Sequence, residues 1–253
     1  MNFTARAASI IGSRFRGASM SIQSDQRKAM IRALLPSPVN ALLDVGSGPI
    51  TPGYPYADRA EQITCLDWKL CQVEPIPAHV QGITGDFTTV ELPRSHYDVI
   101  VVSDVFEHVQ LEQEPAFIDR CQTLLPVGGT LVLSVPHQGT FAWLDPYDLK
   151  PRLQGILWRL GLYNQVHNGE CDVRKGHQHY TQEDLSQKFQ PLKLVEARYW
   201  GYVYDPLLSW VEGLSKRGLM PAELPWLNAR CATEFERDYG TRAFNMALKF
   251  VKT

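Results

Sequence analysis

Much that would point to a specialised setting is missing from this chain. The five cysteines (Cys65, Cys71, Cys121, Cys171, Cys231) are odd in number and scattered, with no C-x-x-C pair. That excludes a disulfide framework and reads as reduced thiols of a cytoplasmic protein. No apolar run is long enough to span a bilayer, and no secretory h-region is present. The formal net charge of -2 gives no global field of the kind nucleic-acid binders need. Internal repeats and low-complexity segments are lacking. Acids are absent before Asp25, where Arg6, Arg14 and Arg16 lie among Ala, Ser, Ile and Phe. This composition fits a helix leading into the domain, a basic amphipathic helix in peripheral contact with a membrane, or a transit segment.

What remains is ordinary for a globular protein: 253 residues, 44% apolar and 21% charged, enough for one large α/β domain. Gln23 to Leu35 reads as a helix stopped by Pro36 and Pro38. Short apolar strands are predicted at Ala41–Val45, Gln62–Leu66, Val80–Ile83, Tyr97–Ser103 and Thr130–Val135, with helices between them, the clearest at Leu111–Leu125. Such alternation implies a mostly parallel, doubly wound sheet. After Pro136 the rhythm breaks. Thr181 with Asp184 forms a helix-start signature, and Leu192–Tyr199 and Phe244–Val251 read as further strands. The expected organisation is an N-terminal helical segment over 1–35, then one domain over 36–253 with irregular insertions at about 138–178 and 200–240.

The most informative segment is Asp44-Val45-Gly46-Ser47-Gly48-Pro49, directly after the apolar run Ala41-Leu42-Leu43. Glycines spaced by one let a backbone turn tightly and come close to a nucleotide-like ligand. An acid at that strand end is poor company for a pyrophosphate and suits a cationic nucleoside, S-adenosylmethionine being the obvious candidate. Asp67 ends the second strand about twenty residues on, where a carboxylate accepts ribose hydroxyls, and Trp68 is placed to lie against adenine. Asp86 follows the third strand and suits the adenine amine, with Phe87 beside it supplying an aromatic face. Each acid taken singly reads equally as a helix cap. Three at successive strand ends form a pattern.

These motifs, with Ser103-Asp104-Val105-Phe106-Glu107-His108 at the end of the fourth strand and Leu124-Leu125-Pro126-Val127-Gly128-Gly129 before the fifth, resemble those of Rossmann-like (class I) S-adenosylmethionine-dependent methyltransferases, the small-molecule or type-11 group. The resemblance covers about Leu35 to Pro136 and returns at His179-Tyr180-Thr181. It implies a seven-stranded sheet with an antiparallel last strand, and Asp44, Gly46 and Gly48 facing the methionine part of the cofactor. Ser103 and Asp104 are expected to line the cofactor pocket. The third glycine usual near Gly48 is absent; Pro49-Ile50-Thr51-Pro52 stands there.

His137, directly after the fifth strand, is the first candidate for a catalytic base, and His108 the second. His177 and His179 lie in a stretch from His167 to His179 that also holds Cys171, Glu170 and Asp172. Its spacing matches no zinc pattern, so these histidines are expected to touch substrate and no metal is expected. Tyr199, Trp200, Tyr202, Tyr204, Trp210 and Trp226 fit an acceptor pocket, an interfacial contact or the second insertion's own core. The expected activity is O- or N-methylation of a small molecule or glycan/envelope precursor. Its rivals are a non-catalytic nucleoside-binding scaffold of the same fold and a NAD-dependent oxidoreductase. Against the latter, the turn reads Gly46-x-Gly48-x-x-Thr51, not G-x-G-x-x-G/A.

Overall fold

The computed structural model describes residues 22–94, 96–147, 178–215, 218–221 and 224–253. Its elements run α1 (Ile22–Leu34), β1 (Val39–Val45), β2 (Ala60–Asp67), β3 (Val80–Thr84), β4 (Val99–Ser103), α2 (Glu114–Leu124), β5 (Thr130–Pro136), α3 (Gln182–Lys188), β6 (Lys193–Trp200), α4 (Tyr204–Ser215), α5 (Pro225–Phe235) and β7 (Asn245–Val251). Short 3-10 turns lie at Phe106–His108, Ala142–Leu144 and Gly240–Arg242.

The seven strands form one sheet in the order β3-β2-β1-β4-β5-β7-β6. The first five pair in parallel, and β7 runs antiparallel to both β5 and β6. Because β1 and β4 are central neighbours, the chain reverses its winding there. That leaves a crevice at their carboxyl ends, the place where open α/β sheets take ligands.

Central strands are apolar throughout because both faces are covered. Every residue of β5 is buried, as are Val99 to Val102 of β4. Side chains alternate between two cores with the period of two that a strand imposes. Leu43, Val45, Ile100, Val102, Leu131 and Leu133 pack with Phe117, Cys121 and Leu124 of α2 and with Leu185 of α3. Leu42, Ile63, Cys65, Val99, Val101 and Val132 face the other way, towards Ile31 and Leu34 of α1. The helix at 182–188 starts with the expected capping box: Thr181 Oγ1 accepts from the Asp184 amide at 3.1 Å, and Asp184 Oδ2 accepts from the Thr181 amide at 2.9 Å.

Three expectations need correction. The helix expected at 111–125 starts only at Glu114, with Pro115 in its first turn, and the strand expected from Tyr97 starts at Val99. The larger correction concerns 200–240. Instead of an irregular insertion it carries α4 and α5, which share a small core of Leu208, Val211, Leu227 and Cys231, backed by Ile22 of α1. Buried Glu234 of α5 accepts the amides of Tyr202, Val203 and Tyr204, at 3.1, 3.0 and 2.9 Å. One carboxylate thus serves the orphan donors at the start of α4. Trp200 ends β6 and is buried against the sheet. Most of the first insertion lies outside the described residues.

Candidate functional site

The turn after β1 is built by its glycines. Gly46 has φ +70° and donates its N–H to the Leu66 carbonyl at 2.8 Å; a Cβ there would overlap Val105. Gly48 has φ +64°, and a Cβ on it would meet nothing within 4 Å, so its outer side is open. The Gly48 N–H donates to Asp67 Oδ2 at 2.9 Å, and Asp67 Oδ1 accepts the Lys69 amide at 2.9 Å. Asp67 therefore ties the ends of β1 and β2 together. Half-buried, it keeps further acceptor capacity on each oxygen. Trp68, next to it, is 68% exposed.

Asp44 lies beneath this turn. It is 3% exposed, and its Oδ2 accepts the Tyr54 hydroxyl at 2.5 Å. Burial pushes its carboxyl up to about 7; the Tyr54 hydrogen bond opposes this, Asp67 adds to it, and Lys28 and Arg27 oppose it. Two buried tyrosines, Tyr54 and Tyr56, wall this region with rings 5.7 Å apart edge to face. Neither was singled out from the sequence, though the run Gly53-Tyr54-Pro55-Tyr56 was a usable signal for an aromatic wall.

After β3, Asp86 closes its own turn: Oδ1 accepts the Thr88 amide and the Thr88 hydroxyl, both at 2.7 Å. Phe87 does not offer a face to a ligand. It is 4% exposed, with its ring 4.7 Å from that of Phe117, because the residue after Asp86 points into the α2 core.

At the end of β4, Ser103 Oγ lies 3.3 Å from Ser134 Oγ of β5, and Ser134 donates to Asp104 Oδ1 at 2.9 Å. Asp104 takes an uncommon φ of +50° for a residue with a side chain. Its other oxygen pairs with Arg27, which reaches across from α1. A single sequence gives no sign that an arginine of the leading helix arrives here. In the following 3-10 turn, Glu107 is 2% exposed and its Oε2 has no hydrogen-bond partner. Burial holds this carboxyl well above the usual range; Asp104 and Asp145 add to the shift, while a hydrogen bond from its own backbone and Arg27 oppose it. His108 is half-buried in the same turn.

His137 ends β5 and is 2% exposed. Its Nδ1 donates to the Ala243 carbonyl at 3.0 Å, which leaves the lone pair of the neutral ring on Nε2. The ring meets Tyr199 edge to face, 5.2 Å between centroids. Burial lowers its pKa; the Ala243 carbonyl and Glu183 oppose that, and His179 adds to it. His179 Nε2 stands 3.2 Å from Asp145 Oδ2, and Asp145 Oδ1 accepts the Tyr147 amide at 2.8 Å. His177 lies outside the described residues. Among the described residues, no group of three or more His, Cys, Asp or Glu side chains is arranged to hold a metal ion.

The candidate residues thus fall into two groups. Asp44, Gly46, Gly48, Asp67 and Trp68 gather at the ends of β1 and β2. Ser103, Asp104, Glu107, His137 and His179 gather at those of β4 and β5, with Arg27 and Asp145. The first group is an open glycine corner, and the second, at the neighbouring strand ends, is buried and polar.

Residues 43–133, from β1 to β5, match the model of a family described as a methyltransferase domain. That match spans 91 of the 253 residues, and the order of the seven strands, with β7 antiparallel, is that of the Rossmann-like methyltransferase fold. No curated protein matches it in sequence. Solved structures share its fold at low identity. An S-adenosylmethionine-dependent methyltransferase from Mesorhizobium loti is 13% identical with a TM-score of 0.53, covering 92% of this chain and 100% of its own. The [4+2]-cyclase SpnF is 16% identical with a TM-score of 0.52, covering 94% of this chain and 84% of its own. Phosphoethanolamine N-methyltransferase 2 of Haemonchus contortus, solved with phosphomonomethylethanolamine and S-adenosylhomocysteine, is 13% identical with a TM-score of 0.53. It covers 98% of this chain and 57% of its own. Among the described residues, no helix is long and apolar enough to cross a membrane.

Proposed function

We propose that the protein methylates an oxygen or nitrogen of a small molecule or glycan/envelope precursor. One observation supports the reading: the open corner at Gly48 and Asp67 follows β1 and β2, and buried polar groups, Glu107 and His137 among them, follow the neighbouring strands β4 and β5. The first fits a nucleoside and the second an acceptor. The same fold serves a cyclase and an N-methyltransferase, so the acceptor has to be argued from the site rather than the fold.

The residues at the glycine turn fit S-adenosylmethionine, which supplies an electrophilic methyl group on sulfur. Gly46 and Gly48 let the backbone approach, Asp67 has lone pairs left for ribose hydroxyls, and Trp68 is free to cover a base. Ionised, Asp44 would favour a cation at the turn. Asp86 would reach the adenine amine through its second oxygen, and Ser103 and Asp104 close the crevice between the two corners. The protein's further task is to align the acceptor and take its proton. We assign the proton to His137, whose Nε2 carries the lone pair, with His108 as second candidate. His179, paired with Asp145, would position the acceptor, and His177 would join it.

Mass spectrometry of nucleotides carried by the purified protein, followed by calorimetry with S-adenosylmethionine, S-adenosylhomocysteine and NAD, tests this reading. Binding of both sulfur nucleosides without NAD is expected, with methyl transfer to members of a panel of sugars, phenols, amines and small acids. Binding of NAD alone would refute it.

A further inference from the structure

At the ends of β4 and β5, three buried polar atoms have no hydrogen-bond partner: Oε2 of Glu107, Nε2 of His179 and Nε of Arg27, whose guanidinium is already paired with Asp104. Asp145 connects the first two. Its Oδ2 stands 3.2 Å from His179 Nε2, and its charge acts on Glu107. The neighbouring acids are provided for. Asp104 holds Arg27 with one oxygen and Ser134 with the other; Asp145 holds the Tyr147 amide and has His179 beside it. Glu107, 2% exposed, keeps one oxygen without a partner. Buried polar atoms are nearly always bonded, and an orphan carboxyl oxygen at the carboxyl end of a parallel sheet marks the place of a missing hydrogen-bond partner.

We propose that this corner binds the amino group of the methyl acceptor, with Glu107 receiving the ammonium and Asp145 with His179 holding a hydrogen-bonding group on the same molecule. The proposal rests on the methyltransferase reading above and narrows its acceptor to an amine. An ammonium brings three donors and no lone pair, the complement of an acceptor-only carboxylate. Asp104 and Asp145 against the single guanidinium of Arg27 leave a local balance that favours a cation over an anionic acceptor. The charged and titratable groups facing Glu107 are Arg27 from α1, Asp104 after β4, Asp145 after β5 and the Tyr180 phenol before α3. Without a ligand, burial first and then the nearby Asp104 and Asp145 push the Glu107 carboxyl towards its protonated form. An arriving ammonium favours the ionised carboxylate and so releases a proton to solvent; before the nitrogen can take the methyl group, one ammonium proton must in turn pass to a base, for which His137 is the candidate.

Calorimetry on the full chain saturated with S-adenosylhomocysteine tests this. Matched probes are ethanolamine and ethylene glycol, phenethylamine and 2-phenylethanol, glucosamine and glucose, titrated at pH 7 in two buffers of different ionisation enthalpy. At least one amine should bind at least tenfold more tightly than its alcohol, releasing protons. Glu107→Gln should weaken that amine at least tenfold and abolish the release, with S-adenosylhomocysteine affinity changed less than twofold. Asp145→Asn should weaken the amine while proton release persists. Equal binding of alcohol and amine, no binding of any amine, or an unchanged Glu107→Gln variant would overturn the proposal. Should Glu107→Gln not fold, the wild-type measurement decides alone, since amine binding without proton release contradicts it. Methylation of an alcohol with no amine bound would sink the amine assignment and leave the methyltransferase reading standing. Failure to bind either sulfur nucleoside would remove both.

Discussion

The amide of Gly48 donates to Asp67 Oδ2 across 2.9 Å, so the acid that ends β2 holds the glycine turn that ends β1. The Lys69 amide on the other oxygen fixes the carboxylate in turn. Asp67 shapes the turn and, in the proposed complex, also touches the ribose.

Asp67→Ala removes both contributions. Hydrogen bonds to a charged group are worth about 1.5–3 kcal/mol each, so calorimetry should show S-adenosylmethionine binding weakened at least about tenfold. Asp67→Asn, which keeps an acceptor for the Gly48 amide, should fall between. An Asp67→Ala variant with wild-type affinity would leave Asp67 as a turn residue only.

The two glycines of the turn should respond differently to alanine. Both have positive φ, a conformation costing an L-residue roughly 1–2 kcal/mol. At Gly46 the new Cβ also overlaps Val105, and overpacking adds about 1–3 kcal/mol. Gly48 faces open space. Gly46→Ala should therefore lower the melting temperature clearly, whereas Gly48→Ala should lower it less and lose cofactor affinity.

The carboxyl of Asp44 retains its proton up to about 7 in the folded protein, against about 4 in the unfolded chain. Between those values the folded state binds more protons, so this group makes stability fall as pH rises through the window. A cationic ligand has the opposite preference, since only the ionised carboxylate attracts it. Affinity for S-adenosylmethionine should rise from about pH 6 to about pH 8, and Asp44→Asn should flatten that rise. Calorimetry across the range checks both.

Glu234 accepts three amides at the start of α4. Glu234→Ala leaves those donors without it inside a small core, at a cost of about 2–4 kcal/mol; Glu234→Gln, with one acceptor oxygen left, should cost less. Urea unfolding of the two variants would show the order.

The parallel part of the fold was legible because β1, β4 and β5 are buried on both faces and so are continuously apolar, while glycines and acids mark their ends. Asp44, Gly46, Gly48 and Asp67 stood out for the same reason. The pairing of α4 and α5 did not, since it depends on Glu234 finding three amides about thirty residues earlier, a contact with no periodicity to read. Arg27 reaching Asp104, and Tyr54 reaching Asp44, are likewise tertiary facts. Phe87 was misread because an aromatic beside an acid looks the same whether it faces a ligand or Phe117. The buried Glu107 oxygen is visible only once β4 and β5 stand side by side.

The reading of His137 can be tested through its hydrogen bond. Donation from Nδ1 to the Ala243 carbonyl fixes the tautomer with Nε2 as acceptor, and burial keeps the ring neutral at lower pH than a free histidine. That is the state a base requires. A general base contributes roughly 10²–10⁴-fold to such a step, so His137→Ala should lower turnover by about that factor with little change in cofactor affinity. Because the folded pKa is depressed, turnover of the wild type should persist below the usual histidine range and fall only on further acidification. His108→Ala, half-buried in the 3-10 turn after β4, should cost less. Turnover within a few-fold of wild type in His137→Ala would leave the ring only a packing role against Tyr199, with the acceptor's proton leaving by His179 or directly to water.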